Sequence, residues 1–160
     1  VKKRLLVWRW IDLAVSTALM VEVIAILSGV QDIMTLKLIA GLMVLTSAGG
    51  WLAERASNEA KKLTMPIFIT SLLVGALPWL LVFAYAIATP FYAAARAPWY
   101  VYALYASSLG SFTLLAMNQW RQHSKFKQWK DYLVVERDYA VIALLAKVAF
   151  AVILIVGLRK

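Results

Sequence analysis

The chain contains no cysteine and a single histidine, and only 16% of its 160 residues are charged. Without Cys there is no disulfide framework to staple a small secreted fold. With one His besides, no zinc-ligand spacing is available. An ordinary soluble domain carries about 25% charged residues and roughly 45–50% apolar ones. Here the hydrophobic share is 63%. A chain this short leaves much of its surface exposed and cannot hide that much apolar area from water. Soluble enzymes and disordered tails are excluded on those grounds.

What is present is a set of long, nearly uncharged runs. Five of them, at about 5–30, 33–53, 63–89, 99–117 and 139–158, are long enough to cross a hydrocarbon layer of about 30 Å. The fold class is therefore all-α, an integral membrane helical bundle, with 1–160 forming one transmembrane domain. The first run is too long for the apolar core of a cleavable signal peptide. A tight polar turn at Gln31-Asp32 and polar connections at 54–62, 90–98 and 121–138 separate the runs.

The net charge of +9 belongs to those connections, not to a basic helix face. It is read as membrane topology, and nucleic acid is excluded as a partner. Lys2, Lys3, Arg4, Arg9, Arg55, Lys61, Lys62, Arg121, Lys125, Lys127, Lys130 and Arg137 fall on one side of a five-span bundle. Arg96, Arg159 and Lys160 fall on the other. Positive charge inside then puts the N-terminus in the cytoplasm and the C-terminus outside. Trp8, Trp10, Trp51, Trp99, Trp120, Trp129, Tyr92, Tyr100 and Tyr132 lie near span ends, where interfacial anchors belong. Trp79 is mid-span beside Pro78, whose ring cannot donate to the carbonyl of Val74, so a bend is expected there. The basic stretch 121–130, flanked by Trp120 and Trp129, suits anionic lipid headgroups or an unidentified cytoplasmic partner. His123 within it has no acid beside it, and no nucleophile with a base is visible, so no enzyme is expected.

Charges inside a span need a partner or a task. Lys147 stands in the last run with no other charge within eight residues on either side. Measured from Asp138 and Arg4 at about 1.5 Å per residue, Lys147 and Asp12 lie at similar depths of about 13 and 12 Å. Glu22 lies about 15 Å beyond Asp12 and about 80° around the helix, so Asp12 is the better partner. Ser16 and Met20, with Thr17 beside them, extend the Asp12 stripe, while Ala140, Ala143 and Ala151 leave space beside Lys147. An amine in apolar surroundings stays neutral more readily, and the neutral amine is the form that condenses with an aldehyde. The residues alone leave three readings open: a Schiff base with a carboxylate counter-ion, a structural Lys–Asp pair, and a proton or ion relay.

Several ordered motifs resemble the heliorhodopsins, retinal-binding membrane proteins of inverted orientation. They are Arg9-Trp10-Ile11-Asp12 with Ser16 and Ala18-Leu19-Met20, Pro78-Trp79, and Tyr102-Ala103 through Asn118-Gln119-Trp120. The last block comprises Trp129, Asp131-Tyr132-Leu133, Glu136-Arg137 and Ala146-Lys147. The resemblance covers essentially the whole chain and aligns the five spans with helices three to seven of a seven-helix rhodopsin, the first two being absent. It implies all-trans retinal bound as a protonated Schiff base on Lys147, with Asp12 as counter-ion. Trp79, Leu109 and Phe112 would line the polyene, with Met20 and Thr17 on the opposite wall. It further implies a light sensor and not a pump, a homodimer, and a cytoplasmic N-terminus. The other two readings become light-driven or passive proton transport through Asp12 and Glu22, and a membrane interaction module without a chromophore.

The chain departs from the family pattern at several places. Asp12 stands where the family commonly has Glu, Ala143 where it has a Ser one turn before the lysine, Thr113 where it has Asn, and Leu109 where it has an aromatic residue. The carboxylate is therefore one methylene shorter, and a hydroxyl near the amine is lost.

Overall fold

The computed structural model describes residues 2–59, 61–92, 97–123 and 132–159. Five helices account for nearly all of them: α1 (Lys2–Leu27), α2 (Ile33–Glu59), α3 (Lys61–Tyr92), α4 (Trp99–His123) and α5 (Tyr132–Leu158). No strand occurs among the described residues. In hydrocarbon every backbone N–H and C=O must be satisfied within its own segment, and uninterrupted helix does this. Each helix contains a stretch long and apolar enough to span a membrane, and only 17–33% of each stretch is buried inside the protein. Most of that apolar surface faces outward, as a bilayer permits and water does not.

All five helices begin or end further into the polar connections than the apolar runs predict. α2 continues through Glu54 and Arg55 to Glu59, so the expected 54–62 loop is almost entirely helical. α5 starts at Tyr132 instead of 139, and α4 continues to His123 instead of 117. Charged residues end a hydrocarbon-soluble stretch without ending a helix, because the backbone ladder is indifferent to what the side chains prefer to face. α1 differs at its far end, stopping at Leu27 and not at 30. Gly29 sets that stop with a φ of 98°, a left-handed conformation that suits glycine. The Val30 N–H donates to the Ala25 carbonyl and the Gly29 N–H to that of Ile26, both at 3.0 Å. This pair of bonds closes the helix end and leaves Val30 buried behind it.

Two residues later Asp32 opens α2. Its Oδ2 accepts from the Thr35 backbone N–H and from the Thr35 hydroxyl, each at 2.7 Å, satisfying donors that a helix start leaves orphaned. These bonds, the hydroxyl's first, hold the Asp32 carboxyl below the ordinary carboxylate range.

The chain divides into two compact units, Val1–Ala97 and Pro98–Lys160. In the first, α2 packs against both α1 and α3, and α1 touches α3 lightly. Gly49 permits the α2–α3 approach, since a Cβ at this position would overlap the Ser71 side chain. Small residues at such contacts are how helices pack in lipid. α3 runs unbroken through Pro78, whose ring is fully buried. In the second unit α4 and α5 pack antiparallel. Asn118 Nδ2 donates to the Val135 carbonyl at 3.2 Å at one end. At the other, Tyr100 occupies the space a side chain at Gly157 would need.

Candidate functional site

A buried ion pair joins α1 to α2 in the first unit. Arg9 Nη2 and Glu54 Oε2 lie 2.5 Å apart, with side chains only 5% and 9% exposed. The Trp10 Nε1–H donates to the same Glu54 oxygen at 2.9 Å, and the Arg9 guanidinium lies 5.2 Å from the Trp10 ring centroid. A buried carboxylate without such partners would be severely penalised. Sequence reasoning placed Arg9 among the interfacial cations, Glu54 at the edge of a loop, and Trp10 among the headgroup anchors. Trp10 is instead buried, at 8% exposure. The pairing was signalled by a cation near the start of one span and an acid near the end of the next, which antiparallel helices bring to one level. Trp8, Trp99 and Trp120 are each more than half exposed. Trp129 lies outside the described residues.

One turn beyond Arg9, Asp12 lies on an exposed position of α1. Ser16 and Thr17 follow, half-buried, with their hydroxyls donating at 2.6 Å to the carbonyls of Asp12 and Leu13. The donor of each hydroxyl is thereby committed to its own helix, and the oxygens keep acceptor capacity. Met20 is half-buried on the same stripe, and Ala18 between them is buried. Trp79 on α3 is buried at 4% exposure directly after the buried Pro78. Glu22 is half-buried, ten residues beyond Asp12 on the same helix.

The remaining candidates belong to the second unit. Lys147 is half-buried near the middle of α5, within the apolar stretch Leu133–Leu158. Ala143, one turn earlier, is half-buried as well, and Phe150, nearly one turn later, is buried. Leu109 and Phe112 are half-buried on α4. Thr113 is exposed, with its hydroxyl donating to the Leu109 carbonyl at 2.8 Å. Ser108, which the sequence reading passed over, is buried and shares a face of α4 with Phe112 one turn away. Its hydroxyl finds no hydrogen-bond partner among the described residues.

The candidate residues therefore fall into two sets, each carried on its own packed helices. One holds Asp12, Ser16, Thr17, Met20 and Trp79. The other holds Leu109, Phe112, Ala143 and Lys147. Chemically the two sets comprise one amine, one carboxylate, two hydroxyls and otherwise apolar or aromatic groups. Within the second set, an amine among apolar and aromatic side chains has the chemistry to hold an apolar ligand that bears an aldehyde. Of the basic stretch 121–130, Arg121 and Gln122 are half-buried at the end of α4, and 124–130 lie outside the described residues.

The family model of the heliorhodopsins matches residues 1–158. No curated protein matches the chain.

Proposed function

Because the chain belongs to the heliorhodopsin family, and so is a multi-pass membrane protein of a retinal-binding, light-sensing kind, we propose a specific working arrangement. All-trans retinal is attached through a Schiff-base linkage to Lys147, Asp12 is the counter-ion, and the protein signals without net ion transport. The observation that carries this reading is the position of the Lys147 amine, half-buried midway along a 26-residue apolar span. An intramembrane cation of that kind is retained for a task.

When bound, retinal would supply an aldehyde carbon and a light-driven change of shape, and the nitrogen that can hold a proton is the Nζ of Lys147 itself. Lys147 anchors the ligand and fixes the depth of that nitrogen. Asp12 stabilises positive charge there, and in a low-dielectric site a small change in their separation changes the energy substantially. Trp79, Leu109 and Phe112 exclude water and confine the chain of the ligand. Ala143 leaves room beside the amine. Ser16 and Thr17 offer acceptor oxygens on the Asp12 stripe. Transport would require a second acid in line with the first. Glu22 is the available candidate, and it sits about 15 Å further along α1 and about 80° around it, which favours sensing. The family is of photoreceptor type and not typically enzymatic. We place the N-terminus in the cytoplasm from the distribution of Lys and Arg. By the same reading the protein dimerises, and its 121–130 stretch meets anionic headgroups or a cytoplasmic partner.

The test is a spectrum. Purified protein supplied with all-trans retinal should develop a visible band that is absent from Lys147→Ala. In Asp12→Asn the band should lose its proton at lower pH than in the parent. A Lys147→Ala protein that folds by circular dichroism and keeps the visible band overturns the attachment. Sustained light-driven pH changes in vesicles, abolished by Glu22→Gln, would replace sensing by transport.

A further inference from the structure

A groove of about 220 Å³ runs between α1 and α2 on the first unit, with walls of Val7, Ile11, Ala14, Val44 and Ala48 and with Trp10 and Trp51 towards the end where α1 begins. Three of these wall residues, Val7, Ile11 and Val44, are each more than 40% exposed, so the groove opens outward. It lies away from the residues proposed for retinal. At about 100° per residue, Val7 and Ala14 sit about 140° and 160° around α1 from Asp12. The depression exists because Ala14 and Ala48 are small where the flanking positions carry branched or aromatic side chains.

Its charge is arranged in a particular way. Glu54, three residues past the lining residue Trp51, accepts from Arg9 and from the Trp10 N–H, which turns the polar edge of that indole inward and leaves an apolar face. Arg55 is different. It is exposed, lies one turn beyond Trp51, and holds its guanidinium 5.8 Å from the Trp51 ring centroid. Lys62, exposed near the start of α3, belongs to the same end of the unit. An apolar channel inside two membrane spans, ending in indoles and then in exposed cations, has the order of a lipid read from its tail to its headgroup.

We propose that this groove is a binding site for one anionic phospholipid, with an acyl chain lying along Ala14 and Ala48 and the phosphate at Arg55. The fork of the guanidinium suits a phosphate, and stacking on Trp51 pre-orients it. A helix of a partner protein would be too wide for a cleft cut by the absence of two side chains. A zwitterionic lipid would fill the groove without gaining from the surrounding positive charge. One cation near the surface is worth about a fivefold preference for an anionic lipid.

The test uses the whole chain in bilayer nanodiscs of equal phosphatidylglycerol and phosphatidylcholine, released and counted by native mass spectrometry. The parent should retain one phosphatidylglycerol in about fivefold preference. Arg55→Gln should retain a lipid with the preference gone, and Ala48→Phe should retain neither. A retained-lipid pattern unchanged in both variants overturns the site. So does an Ala48→Phe protein whose lipid count is unchanged while its monomer–dimer ratio shifts, since a second copy would then be the occupant. Should Ala48→Phe fail to fold, Val44→Cys on the exposed rim supplies the only cysteine in the chain for a fluorophore. Phosphatidylglycerol with brominated chains should quench that label more strongly than the phosphatidylcholine analogue, and equal quenching overturns the proposal.

Discussion

Arg9 and Glu54 lie forty-five positions apart in the chain and form a buried ion pair between α1 and α2, with the Trp10 indole on the same carboxylate oxygen. Removing one partner strands the other charge, which costs roughly 3–5 kcal/mol, whereas replacing both by apolar groups of similar volume is often neutral. Glu54→Ala and Arg9→Ala should each lower the thermal midpoint of the detergent-solubilised protein sharply. Arg9→Met with Glu54→Leu should recover most of the loss. A double variant as unstable as the singles would mean that the pair holds the helices by more than charge compensation.

Asp32 is fully solvent-accessible, so its influence is local to the start of α2. Because the two Thr35 bonds hold its carboxyl below the usual range, its contribution is present above the unfolded Asp value of about 3.9. That contribution is lost as pH falls through the lower folded value. Amide exchange at Thr35 and Leu36 should therefore quicken in strong acid. Thr35→Val removes the hydroxyl bond and should move the Asp32 titration back towards the ordinary value, as read by carboxyl NMR.

Asn118 ties α4 to the backbone of α5 through the Val135 carbonyl. A buried bond of this kind contributes about 0.5–1.5 kcal/mol. Asn118→Leu should destabilise the α4–α5 pair by about that amount, measured by denaturation in mixed micelles, and should increase amide exchange near Val135. Unchanged exchange would show that the bond is dispensable.

Gly49 is a steric prediction. Its added Cβ would overlap both the Ser71 Oγ and Cβ, so Gly49→Ala should loosen α2 from α3 and lower stability by about 1–3 kcal/mol. Ser71→Gly on top of it should restore the contact. A Gly49→Ala protein as stable as the parent would show that α3 shifts freely.

The five spans were legible because a continuous apolar run has one stable solution in hydrocarbon. Their ends were less so. Glu54 and Arg55 read as a loop because charge normally marks the water boundary, yet Glu54 turns inward to Arg9, and only a contact between two helices distant in sequence reveals it. Trp10 misled for the same reason, since a tryptophan near a span end looks like an anchor until a buried acceptor is found for its N–H. Gly29 was passed over because the apolar run continues to Val30, and hydropathy does not register a change in the sign of φ. Of the candidate site, the choice of Lys147 and Asp12 followed from charge in hydrocarbon. The commitment of the Ser16 and Thr17 hydroxyls to carbonyls one turn back depends on rotamers, which letters do not encode.

The α1–α2 pair is pinned twice. At one end the Gly29 stop and the Asp32 cap leave the connection no slack, and at the other Arg9 is clamped to Glu54. Two rods fastened at both tips resist sliding past one another, so a force applied to Asp12 cannot be absorbed by shear within the pair. It is handed on to α2, and through the Gly49–Ser71 contact to α3, making the three helices one stiff lever.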